Sequence, residues 1–87
     1  MKENKLFELV ITRRAKNGNP YSRADVPSQF ESLDEIAEEL RVKKEELERN
    51  GYQIWSAKVK KRIAGKYVEI TDRTEVQRII APYQDRT

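Results

Sequence analysis

"LDEIAEELRVKKEELERN", Leu33 to Asn50, decides the fold, because it reads either as one long amphipathic helix or as two short helices meeting near Arg41. Leu33, Ile36, Ala37, Leu40 and Leu47 fall on one stripe at helical spacing. Ser32 with Glu35 three residues later forms a capping box, in which hydroxyl and carboxylate satisfy otherwise unpaired N–H groups. Asn50-Gly51 supplies a left-handed stop. Glu39 to Lys43 and Glu45 to Arg49 are i,i+4 pairs on the wet side. Val42 is the exception. At about 100° per residue it lies about 200° from Leu40, off the apolar stripe, and a turn would return it to the core.

With a turn at that point, the segment resembles the helix-turn-helix family over about Leu33 to Tyr52. Ala37 would be the small residue at the helix crossing, Leu40 and Val42 would flank the turn, and Leu47 would anchor the second helix. The resemblance implies a winged-helix-like regulator with the following hairpin as its wing. Three residue choices oppose it. Arg41 stands where left-handed geometry favours glycine. Asn50-Gly51 fall where another apolar anchor belongs, and "KKEELERN" would present three glutamates to a polyanion. One continuous helix is the expectation.

Upstream, "LFELVITRR" places Phe7, Leu9 and Ile11 on one face and Glu8, Thr12 and Arg14 on the other, the two-residue period of a strand. Asn17-Gly18 and Asn19-Pro20 are turn signals. A short strand around Tyr21–Val26 is held to an edge by Pro20 and Pro27. Downstream, "YQIWSAKVKKRIAGKYVEIT" reads as a hairpin turning at Ala64-Gly65, with Val68 and Ile70 inward on the return strand. Simple alternation puts Trp55, Ala57, Val59 and Ile63 inward and Lys58, Lys60 and Arg62 outward. A last helix from about Thr74 to Ala81, capped by Asp72 with Glu75 reaching back, buries Val76, Ile79, Ile80 and Tyr83 before Pro82 ends it. The pattern predicts one α+β domain over residues 1–87. It is a small antiparallel sheet of three strands, plus a fourth short edge strand, with two helices on one face in the order β-(β)-α-β-β-α.

Composition narrows function. The chain has no cysteine and no histidine, which removes disulfides, Cys/His zinc sites, cysteine nucleophiles and Ser-His-Asp relays. Its three glycines form no phosphate loop, and no carboxylate pair sits in an evident apolar setting, so no enzyme and no cofactor is expected. Pairs such as Glu35/Glu39 would hold a hard cation only weakly. No apolar run reaches membrane-spanning length, and "MKENKLFELVITRR" lacks the apolar centre of a signal peptide, so no membrane contact and cytoplasmic residence are expected.

The net charge of +3 conceals segregation. Residues 31–50 carry eight Asp/Glu against four Lys/Arg, whereas residues 51–87 carry four against eight. This pattern predicts a small non-enzymatic interaction module that binds a protein partner, with Glu35, Glu38, Glu39, Glu45 and Glu46 as the acidic docking face. In style it is similar to the accessory proteins of phages and mobile elements. The alternative ligand is nucleic acid, held by the basic hairpin 54–68 through Lys58, Lys60, Lys61, Arg62, Lys66 and Tyr67. Alternation sends Trp55 away from those lysines, leaving Tyr52 and Tyr67 as the candidate stacking groups.

Overall fold

β-Branched and apolar residues at every second position make Phe7–Ala15 a strand, β1, whose Phe7, Leu9 and Ile11 are buried. The computed structural model describes residues 5–17 and 22–83. The turn signals at Gly18, Asn19 and Pro20 lie outside the described residues. After them come two short strands, β2 (Ser22–Ala24) and β3 (Ser28–Phe30), both antiparallel to β1. They share one edge of β1, β2 along Thr12–Arg14 and β3 along Phe7–Leu9. β2 falls within the edge strand expected near Tyr21–Val26, and β3, beyond Pro27, is a further strand that the sequence pattern did not announce. Proline has no N–H to give a ladder, so pairing lapses there and resumes.

The decisive stretch is one helix, α1, from Leu33 to Arg49. The Ser32 hydroxyl accepts from the Glu35 N–H at 3.2 Å, and the Glu35 carboxylate reaches past Ser32 to accept from the Glu31 N–H at 2.9 Å. Ile36, Leu40 and Leu47 are buried, while Val42 is 43% exposed. The helix-turn-helix reading is thereby overturned. No turn rephases Val42, and the acidic side chains extend along a single rod. The helix ends as its last residues suggest, with Gly51 at φ 84° and the Asn50 side chain donating to the Glu46 carbonyl.

β4 (Tyr52–Ile63) follows and pairs antiparallel with β1 on its other edge, from Ala15↔Tyr52 to Phe7↔Lys61. β5 (Lys66–Glu69) returns along the last residues of β4, giving the sheet order β2-β1-β4-β5. Ala64 (φ 53°) and Gly65 (φ 83°) both take positive φ, the backbone of a tight two-residue hairpin. Thr71, the one buried polar residue among those described, fastens the exit of β5. Its hydroxyl accepts from the Val59 N–H at 3.1 Å and donates to the Val59 carbonyl at 3.4 Å.

α2 (Thr74–Ile80) passes into a single 3-10 turn at Ala81–Tyr83. Asp72 does not cap it: the N-cap is Arg73, whose carbonyl receives the Val76 and Gln77 N–H groups. Both helices lie on the face of the sheet that carries Phe7, Leu9, Ile11, Ala57 and Val59. With Ile36, Leu40, Leu47, Val76 and Ile80 these residues form one core. The result is an α+β fold with a curled antiparallel sheet and two helices on one side.

Two substitutions test this account. Val42→Lys is expected to leave chemical-denaturation stability within about 0.5 kcal/mol, whereas Leu40→Ala should cost about 2–5 kcal/mol. Equal losses would restore the bent-helix reading. Ala64→Asn, which suits left-handed backbone better than alanine, should raise stability by about 0.5–1 kcal/mol. A loss would mean that the turn is not strained.

Candidate functional site: the helix-free face of the sheet

β4 does not keep simple alternation. Thr12 pairs with Ser56 but Arg13 pairs with Ile54, so Trp55 is an extra residue, a β-bulge. The inserted residue shifts the pleat by one. Ile54 then points into the core, 7% exposed, and shares that face with Ala57 and Val59. Trp55 is displaced to the opposite face, half-buried, with the Arg14 guanidinium 4.0 Å from its ring centroid. The expectation that Trp55 is an inward residue is thus corrected. Ile63, also expected inward, lies beyond the helical layer and is 42% exposed.

The displaced tryptophan joins the basic row. Pairing register places Arg14 of β1, Lys58, Lys60 and Arg62 of β4, and Tyr67 of β5 on the helix-free face, and the contact with Arg14 places Trp55 there with them. Among the described residues no helix or strand covers it. The Tyr67 hydroxyl donates to the Lys5 carbonyl at 2.6 Å, which fixes the far end of the row. Of the six residues proposed from sequence for nucleic-acid contact, four are brought together here: Lys58, Lys60, Arg62 and Tyr67. Lys61 and Lys66 fall on the other face by register. Lys61 lies opposite Phe7 with its ammonium 6.0 Å from that ring, and Lys66 lies opposite Ile63.

The cations of the row are not equivalent. Lys60 stands in register between Glu8 of β1 and Glu69 of β5, so two carboxylates flank it. Lys58 faces Val10 and Arg62 faces Tyr67, with no acid directly opposite. Lys58 and Arg62 therefore carry most of the outward positive potential. Tyr52, the other stacking candidate, belongs to a different surface, with Arg13 5.4 Å from its ring centroid.

The acidic helix is largely occupied with itself. Arg41 pairs with Glu38, Lys43 with Glu46 at 3.1 Å, and Lys44 with Glu48 at 3.0 Å, instead of the i,i+4 pairs expected from Glu39 and Glu45. The hydrogen bonds from Arg41 and Lys44 hold the Glu38 and Glu48 carboxyls below their ordinary value. Their contribution is thus present above the ordinary carboxylate pKa and fades as pH falls through the lowered ones. Both groups are fully exposed, so it is small. Of the five proposed docking glutamates, Glu35 is used in the cap, and Glu38 and Glu46 are paired within the helix.

Comparison with family models, with curated proteins and with solved structures finds no match for this chain. The site is therefore read from its own geometry.

A cleft of about 400 Å³ opens between α1 and the β1–β2 edge, floored by Leu9 and Ile11 and rimmed by Arg13, Asp25, Glu39 and Lys43. Arg13 donates twice to Asp25, at 2.8 and 2.9 Å, and this bidentate hydrogen bond raises the guanidinium above its ordinary pKa. Arg23 also lines the cleft, so its charged residues are three cations and two acids, of which Arg13 and Asp25 pair with each other and Lys43 pairs with Glu46. Among the described residues no three acidic side chains gather into a metal site, and no helix is long and apolar enough to cross a membrane.

The bulge makes opposite demands of two neighbouring residues. Ile54→Ala should cost about 2–5 kcal/mol by equilibrium unfolding, and Trp55→Ala distinctly less than the roughly 3–5 kcal/mol of a buried aromatic. The reverse order would restore the unbroken pleat.

Proposed function

We propose that the protein is a non-enzymatic binding module that takes nucleic acid on the helix-free face of its sheet. The observation that carries this reading is the bulge at Trp55, which sets the chain's one tryptophan on the same face as Arg14, Lys58, Lys60 and Arg62. Nucleic-acid surfaces combine these two elements, cations for the phosphates and an aromatic face for bases. The acidic α1 lies on the other side of the sheet, so a polyanion approaching the basic face is shielded from it by the core. Protein docking through the acidic helix has less support, because three of its five proposed glutamates already serve the helix itself.

The test is a salt series of binding to single- and double-stranded oligonucleotides, read by fluorescence anisotropy. Affinity should fall with a log-log slope of about −2 to −3, set by three or four phosphate contacts. Lys58→Glu plus Arg62→Glu should remove binding, and Glu8→Gln plus Glu69→Gln should strengthen it by relieving Lys60. No binding at low salt, or binding indifferent to both pairs, would defeat the proposal and return the acidic-helix docking surface to first place.

A further inference from the structure

Resting on that reading, we infer that the ligand is single-stranded, with one unpaired base stacked on Trp55 in the place where Arg14 now lies. The pairing of β4 with β1 argues against a groove-entering ribbon. β1 pairs with β4 up to Lys61, and the Arg62 N–H donates to the Leu6 carbonyl at 2.8 Å, so the β4–β5 hairpin is bound along its length to the body of the sheet. A duplex groove receives a free two-stranded ribbon more readily than one whose β4 edge is backed along its length by β1. A single strand can lie on such a face, and its bases are free to turn toward the protein.

Strand geometry supplies the spacing. Lys58, Lys60 and Arg62 recur every second residue on one strand, about 6.6 Å apart, a stride suited to successive phosphates of an extended strand. Trp55 stands at one end of this row and Tyr67 at the other, opposite Arg62. From Trp55 to Arg62 the row is about 23 Å long, room for a short run of nucleotides.

Arg14 acts as a placeholder. Its guanidinium covers the indole at 4.0 Å and keeps an exposed aromatic surface from water. Stacking of a base on an aromatic ring outweighs a solvent-exposed cation–π contact, so an incoming base displaces it. The freed guanidinium then faces the phosphate beside that base. The charge of Arg14 thus serves both states: it shields the ring when the face is free and pairs with the backbone when a strand is bound.

Trp55 is the chain's only tryptophan, so intrinsic fluorescence reports this one position. The experiment titrates the full chain with a twelve-residue oligothymidylate, with an abasic oligonucleotide of equal length, and with a duplex of equal length. Expected are quenching of Trp55 by oligothymidylate alone and an affinity for it about tenfold above that for the abasic strand. Trp55→Leu should lower oligothymidylate affinity to the abasic level and leave abasic binding unchanged, whereas Trp55→Phe should keep most of the difference. Equal binding of oligothymidylate and abasic strand without quenching overturns the stacking inference while the charged-face reading stands. Preference for the duplex overturns it likewise. Absence of binding to all three defeats the underlying reading. If Trp55→Leu does not fold, the quenching and the abasic comparison on the unaltered protein still decide the matter.

Discussion

A parity conflict inside β4 governs the structure. Ile54 and Val59 must both enter the core, yet they are an odd number of residues apart, and an uninterrupted pleat would turn one of them to water. The strand resolves the conflict with one extra residue, and the residue it ejects is the largest side chain in the protein. Burial of the isoleucine and exposure of the tryptophan are thus two results of one event. The place of Trp55 beside the basic row on the helix-free face follows from that adjustment.

Much of the fold was legible because its signals are local. The capping pattern at Ser32 and Glu35, the apolar stripe of α1, the Asn50-Gly51 stop and the Ala64-Gly65 turn each act within a few residues, and each is found where the sequence puts it. What removes the helix-turn-helix is the continuity of α1 through Arg41, with Val42 left exposed. Signals that depend on partners were less legible. β3 is a strand only because β1 lies beside it, and the cap of α2 falls at Arg73 and not Asp72, after a turn in which the Arg73 N–H donates to the Ile70 carbonyl.

The candidate site was half legible. Two-residue spacing of Lys58, Lys60 and Arg62 correctly predicted a basic row, and their common face follows from the pleat alone. Trp55 was misplaced because a bulge has no dependable signature in a single strand; it arises from the register that two strands settle on together. One clue did exist. "QIWSAKV" holds two inward-seeking apolar residues, Ile54 and Ala57, at odd separation, and such a pattern in a long strand calls for an inserted residue. The carboxylates beside Lys60 were equally invisible, since Glu8 and Glu69 become its neighbours only through pairing.

The central pairing has a consequence for how the chain acquires its structure. It joins Phe7 to Lys61 and Ala15 to Tyr52, so the whole of α1 must be traversed before the two long strands can meet. The capped helix and the tight hairpin can form early from neighbours in sequence, while the sheet waits on the closure of a large loop. A topology of this kind predicts folding limited by that long-range docking and slower than in helical proteins of this size. Since the bulge is a property of that docked register, the tryptophan takes its outward place only as the last strands join.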